Sequence, residues 1–253
     1  KFKKGFIANA NEIEEIYVQR ISGLEQDMTG ADAFARVKPT VKTLYHNQNF
    51  GKCYTATVSD QQVRQAFMNG DGVKRMADEI LTQQHTGVEY DEYVEMKKAI
   101  EGFAAAIPSS AKRTIEDVTD NASAKALVKQ IKKDIGKMQF RGTEYCAYEQ
   151  HTRKEDLVLF LDIAFESEKD VELLSQAFNI DKAEIGSRVV FVDGFQGKLK
   201  GVLMDVNAIK VYDTLYNNEH CRNAKGMFTN YHLNVEKIIS YSTLYNGASY
   251  SIA

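Results

Sequence analysis

Tryptophan is absent from the chain, proline occurs twice, and the three cysteines stand far apart. With only Pro39 and Pro108, there is no proline-rich linker. Cys53, Cys146 and Cys221 are odd in number and form no CxxC pair. Neither a disulfide framework nor a zinc site is indicated. No apolar run approaches the ~20 residues that span a bilayer, and no signal-peptide pattern opens the chain. Charge of neither sign dominates, the net value being −3 over 253 residues. That argues against a sequence-wide grip on nucleic acid, which calls for a strongly basic domain. There is no GxGxxG, no Walker loop, no internal repeat and no low-complexity tract. The chain opens at Lys1 rather than methionine, so a preceding segment is expected.

What is present is an ordinary folded composition, 43% hydrophobic and 26% charged, long enough for one large domain or two modest ones. The stretch "EIEEIYVQRIS" at Glu12 to Ser22 has the character of a strand but no clean apolar face. Glu14, Ile16, Val18 and Arg20 point one way; Glu15, Tyr17, Gln19 and Ile21 point the other. A polar tip, "GLEQDMTGADA", and a returning strand-like stretch, "FARVKPTVKTLYH", complete an extended arm. Its mixed faces argue against burial in its own core. Ser59 and Gln62 form a capping-box pattern before a helix. The spacing of Val73, Met76, Ala77, Ile80 and Leu81 predicts a second helix, with Gly87 as its stop. A third is predicted over "YDEYVEMKKAIEGFAAAIP", with Asp91, Glu92 and Glu95 near its N-terminus and Pro108 closing it. Ser123 caps another, ending at Gly136, and "SEKDVELLSQAF" makes one more, opening at Ser167 and Asp170. "KMQFRG", "LVLFLDIAF", "SRVVFVDGF", "GVLMDVNAIKVYDTL" and "FTNYHLNVEKIISYS" read as strands. "LVLFLDI" and "VVFVD" are apolar on both faces, the mark of interior strands. Strands following helices without regular alternation point to α+β.

Chemistry is hard to find. "GFQGKLKG" at Gly194 to Gly201 is glycine-rich and basic, but without a helix start it reads as a turn between strands. His220, Cys221 and His232 have poor chelating geometry on strands. Carboxylates cluster at Glu12, Glu14 and Glu15, at Glu89, Asp91 and Glu92, and at Glu168 and Asp170. Such pairs can serve acid–base chemistry, but solvated faces and helix starts explain them more simply. No catalytic residue, metal ligand or cofactor is assigned. Six tyrosines crowd the last quarter (Tyr212, Tyr216, Tyr231, Tyr241, Tyr245 and Tyr250), a residue type suited to interfaces and to cores alike.

Five segments, in collinear order, carry a resemblance: "IEEIYVQ", "ADAFARVKPTVKTLYHNQNFGKCYTATVSDQQVRQAF", "GVEYDEYVEMKKAI", "LLSQAFNIDKAEIGSRVVFVDGF" and "VYDTLYNNEHCRNAKGMFTNYHLNVEKIISYS". They resemble the major capsid proteins of small short-tailed bacteriophages of Gram-positive bacteria. The resemblance implies an α+β fold of the Hong Kong 97 type, with an extended loop and flanking strands at 1–58. It implies a peripheral domain with a spine helix at 59–118, an axial domain at 119–228, and a return strand to the peripheral domain at 229–253. The implied function is that of a shell subunit enclosing double-stranded DNA. The implied partners are further copies in hexamers and pentamers, then scaffold and portal proteins. DNA is met by non-specific proximity only, and no membrane is involved. The implied location is the virion, assembled in the host cytoplasm. Under that resemblance the loop lies on a neighbouring copy. Ile16, Tyr17, Val18, Val41, Leu44 and Tyr45 would supply apolar contact, and Arg20, Arg36, Lys38 and Lys42 would pair with acids. Two other readings are weighed beside it: an encapsulin-like cellular compartment shell, and a carboxylate-dependent hydrolase.

Overall fold

The structure is a computed structural model that describes residues 4–7, 12–21, 23, 38–67, 72–116, 121–163 and 189–253. The expected helix at "SEKDVELLSQAF", the ribbon tip at 24–33 and Arg36 lie outside the described residues.

Packing divides the chain into two compact units, each assembled from separate stretches of sequence. The first unit takes Lys1–Ile13, His46–Ile100 and Ile209–Tyr241; the second takes Glu14–Tyr45, Glu101–Ala208 and Ser242–Ala253. The tail at 229–253 accordingly serves both, through β10 (Phe228–Tyr241) and β11 (Gly247–Ile252).

The first unit is built on a four-stranded sheet in the order β1 (Lys4–Phe6), β9 (Ile209–Asn223), β10, β4 (Phe50–Ser59). β10 runs antiparallel to both neighbours, and its register slips at Glu236/Lys237. Helix α1 (Asp60–Phe67) follows β4 through the expected capping box. The Gln62 N–H donates to Ser59 Oγ at 3.3 Å, and the Ser59 N–H donates to Gln62 Oε1 at 3.0 Å. Helix α2 (Gly72–Ala106) replaces the two helices expected from periodicity. At 1.5 Å per residue it is a rod of about 52 Å.

Gly87 does not stop this helix. A Cβ there would sit 3.2 Å from the Tyr54 ring, so the glycine makes room for an aromatic side chain on β4. Asp91, Glu92 and Glu95 therefore lie in mid-helix, where the dipole offers them nothing. Asp91 instead accepts from the Tyr54 hydroxyl at 2.6 Å and pairs with Lys52 at 2.9 Å. These two donors hold its carboxyl below the usual range, and the same carboxylate together with burial pushes the Tyr54 phenol up. Glu92 pairs at 2.6 Å with Lys237, both side chains being about 5% exposed. Lys237, the one break in the alternation of β10, is thus the cation of a buried pair, and Asp213 on β9 stands 2.9 Å from the same ammonium.

The second unit centres on a five-stranded sheet in the order β5 (Lys112–Ile115), β11, β8 (Leu199–Asp205), β6 (Leu157–Asp162), β7 (Val189–Val192). β6 is an interior strand, as its apolar run predicts, with Leu157, Leu159, Phe160 and Leu161 all buried. β7, expected inside for the same reason, stands at the margin of the described sheet, with Val190 and Phe191 half-exposed. The "GFQG" stretch is a turn that needs its glycines, with φ of +123° at Gly194 and +69° at Gly197. "KMQFRG" is not a strand. Helix α3 (Asn121–Met138) runs through Gly136 to Met138, because Ile131, Ile135 and Met138 continue its buried stripe.

Asp134 of α3 is fully buried and serves as the polar hub of this unit. It accepts from Arg113 (3.0 Å), from Gln130 (3.0 Å), and from the hydroxyls of Tyr145 (2.8 Å) and Tyr250 (2.9 Å). Glu144 completes the cluster, bonded to Lys137 and Arg113, which hold its carboxyl below the usual range.

Replacing Asp134 with alanine leaves two buried phenols and much of a guanidinium without their acceptor. The expected cost is at least ~3 kcal/mol, read as a drop in urea midpoint at unchanged slope. Acid should act differently at different carboxylates. Asp91 and Glu144 have folded values below the unfolded ones, so their contribution is complete above the unfolded pKa of about 4 and is lost as pH falls through the depressed values. Asp205 is pushed the other way by burial, so its ionised form costs stability at neutral pH. Asp205→Asn can keep the two bonds that one oxygen accepts from Asn207, and is expected to leave the unfolding free energy at pH 7 unchanged or raise it by up to ~1 kcal/mol. A large loss at pH 7 would contradict this.

Candidate subunit interface

The opening ribbon is a two-stranded sheet of β2 (Glu12–Val18) and β3 (Val41–Asn47). The Gln19 N–H donates to the Thr40 carbonyl at 2.9 Å beyond the strand end. Exposure along β2 alternates strictly, so the two faces read from the sequence are real faces. One of them is satisfied within the chain. The Tyr17 hydroxyl donates to the Glu149 carbonyl at 2.9 Å, and its ring lies 5.3 Å from that of Tyr148. Burial first, and Glu149 second, push the Tyr17 phenol up. The Tyr245 hydroxyl donates to Glu15 at 3.0 Å, and Arg20 reaches the Glu149 carboxylate at 3.2 Å.

The other face is bare. Ile16 is 60% exposed and Val18 55%, and Val41 and Tyr45 on β3 are more than half exposed. Leu44 is half-buried, while Lys38 and Lys42 are exposed. Of the expected interface residues, Tyr17 and Arg20 are thus occupied by their own chain, and Ile16, Val18, Val41 and Tyr45 form an apolar strip open to a partner. Tyr245 belongs to the ribbon's seat and Tyr250 to the core hub. Sequence reasoning missed Glu149, which sits in an irregular stretch with no periodicity to mark it.

The groups suspected of chemistry have structural employment. His232 lies between Cys53 and Cys221 on the neighbouring strands, with Nδ1 at 3.9 Å from one sulfur and Nε2 at 3.6 Å from the other. Thr55 bonds the same Nδ1 at 2.9 Å. Two thiols on opposite ring nitrogens cannot share one ion with that ring. Among the described residues no group of three or more His, Cys, Asp and Glu could hold a metal. Also among them, no helix is long and apolar enough to cross a membrane.

Comparison with known proteins places this geometry. The capsid structure of Staphylococcus phage Andhra superposes with a TM-score of 0.74 at 12% identity, covering 99% of this chain and 82% of that one. The mature capsid of bacteriophage PhiM1 gives 0.60 at 8% identity, covering 99% and 85%. The fold is that of the Hong Kong 97-type capsid proteins, α+β in class. The family description "Phi29-like phage major capsid protein" matches residues 1–251, and the chain belongs to that family. The major capsid protein of Bacillus phage GA-1 is 30% identical over 257 residues, 98% of this chain and 54% of its own length. That of Bacillus phage B103 is also 30% identical, covering 99% and 57%. The chain therefore spans a little over half the length of the curated relatives it matches.

Two of the ribbon's attachments should differ in strength. Tyr17→Ala removes a half-buried ring and a hydrogen bond and should cost about 2 kcal/mol. Arg20→Ala removes an ion pair that is half in water and should cost less than ~1 kcal/mol. Amide exchange at Glu15 to Val18 would read both, and an arginine effect larger than the tyrosine effect would reverse the assignment.

Proposed function

We propose that the chain is a structural subunit that assembles with its own copies, in hexamers and pentamers, into the icosahedral shell of a tailed bacteriophage enclosing double-stranded DNA. The observation that carries the reading is the one-sided ribbon. Its inner face is fastened by Tyr17 and Glu15, with Arg20 adding an ion pair just beyond the strand end, while Ile16, Val18, Val41 and Tyr45 stay in water. Apolar side chains at regular spacing on an extended element fit a partner surface better than bulk water. Family membership supports the same role, as do the phage capsids among the structures that share the fold. The role is structural rather than catalytic, with scaffold and portal proteins as further partners. Its place is the virion, after assembly in the host cytoplasm. The neighbour's side of the contact would be met by Lys38 and Lys42 at the rim and by the apolar strip at the centre. Such contacts are individually weak and gain their strength from repetition by symmetry.

The test leaves the inner face alone. Ile16→Glu with Val18→Glu charges only the bare face and should leave the melting temperature of the unassembled chain within a few degrees of the parent. Shells seen for the parent by negative-stain microscopy should be absent or malformed for the variant. Normal shells from it would remove the ribbon from the interface.

A further inference from the structure

Helix α3 carries five lysines and a single acid, Asp134, in 18 residues. That acid is fully buried and turned inward to Arg113, Tyr145 and Tyr250. Lys137 is paired with Glu144 at 2.8 Å. The remaining four, Lys125, Lys129, Lys132 and Lys133, are all exposed, and their spacing puts them on one side of the helix, opposite the buried stripe of Leu127, Ile131 and Met138. An ordinary solvated helix face mixes signs, with acids three or four residues from lysines. Here the i,i+4 pairs Lys125/Lys129 and Lys129/Lys133 and the i,i+3 pair Lys129/Lys132 are all repulsive, each costing a few tenths of a kcal/mol. A second feature adjoins the stripe. A groove of roughly 460 Å³ lies between α3 and the edge strand β5, and Lys133 belongs to both stripe and groove. Among the described residues of its lining, Lys112, Arg113, Thr114, Ser123 and Gln130 add polar groups, against one carboxylate, Glu116.

We propose that this face of α3, with the groove beside it, binds the phosphate backbone of double-stranded DNA without regard to sequence. Four cations over about 12 Å of helix face roughly seven duplex charges at one per ~1.7 Å. A phosphate backbone asks only for charge and polar donors. An acidic protein segment would want an apolar or aromatic anchor at the centre of its site; the larger apolar residues of the groove lining, Ile115 and Leu127, are half-buried and buried, and the exposed Phe140 lies beyond the end of α3, so none belongs to the lysine face. The net charge of −3 excludes a grip by the whole surface, not a local one. DNA is the cargo of the shell proposed above, so the inference rests on that reading for the source of its ligand.

The full chain, kept unassembled at low concentration, is titrated against a fluorescent random-sequence 20-base-pair duplex at several salt concentrations. Lys125→Gln, Lys129→Gln and Lys132→Gln together should weaken binding more than about tenfold at 0.1 M salt and lower the salt slope by about 2.7, or ~0.9 per lysine. A charge-matched control, Arg64→Gln, Arg75→Gln and Lys225→Gln in the other unit, should change affinity less than about twofold. The Lys→Arg triple at the α3 positions keeps the charge and should keep binding, which separates charge from folding. No binding by the parent at 50 mM salt would overturn the proposal. So would equal losses in both glutamine triples, loss in the arginine triple, or preference for poly-glutamate over the duplex. Absence of shells in micrographs would count against the assembly reading alone and leave this measurement standing.

Discussion

Each unit is organised around a carboxylate taken out of water. In the second unit it is Asp134, in the first Glu92. Removing an ionised group from solvent costs several kcal/mol unless donors surround it. The donors here come from far along the chain. Asp134 is met by Arg113 before it in sequence and by Tyr145 and Tyr250 after it. Glu92 on α2 is met by Lys237 on β10, 145 residues away. A buried charge tolerates few arrangements of its neighbours, whereas apolar contact tolerates many. These two clusters join segments that lie far apart in the chain, and separating either carboxylate from its donors would cost several kcal/mol.

That dependence explains which elements could be read from the sequence. Patterns that are local in origin were legible. The capping box at Ser59 and Gln62 forms with both of its bonds, and the apolar run at β6 is an interior strand. The alternating faces of β2 are present residue by residue. Patterns whose cause lies elsewhere in the chain were misread. Gly87 has the look of a helix stop because its reason is the Tyr54 ring, 33 residues earlier. Asp91 and Glu92 have the look of a helix start because Lys52, Tyr54 and Lys237 are not visible from their own neighbourhood. Lys237 breaks an alternation, and the break was the signal that a buried partner awaited it. The candidate interface divides along the same line: its two faces were legible, but which face the chain would keep for itself was decided by Glu149, Tyr148 and Tyr245.

The ribbon shows how a chain can present an interface without first exposing an unstable element. A two-stranded hairpin alone is marginal in water. Fastening one face through Tyr17 and Glu15 supplies the order that the hairpin lacks, so the free face is displayed in a fixed geometry before any partner arrives. Ordering costs that would otherwise fall on association are then met during folding, and weak repeated contacts suffice. The Arg20–Glu149 pair adds little energy because it remains half in water.

Helix α3 follows the same division of labour with charge in place of apolar surface. Its inner side spends its only acid, Asp134, on holding the unit together, and no negative charge remains on the helix to balance the four outer lysines. The repulsion among them is small beside the stability supplied by the buried stripe and the hub, so the fold can carry it. An acid at the position of Lys129 would relieve that repulsion on an exposed position away from the buried stripe. The arrangement present forgoes that gain, which is the expected state of a surface whose counter-charge comes from outside the chain.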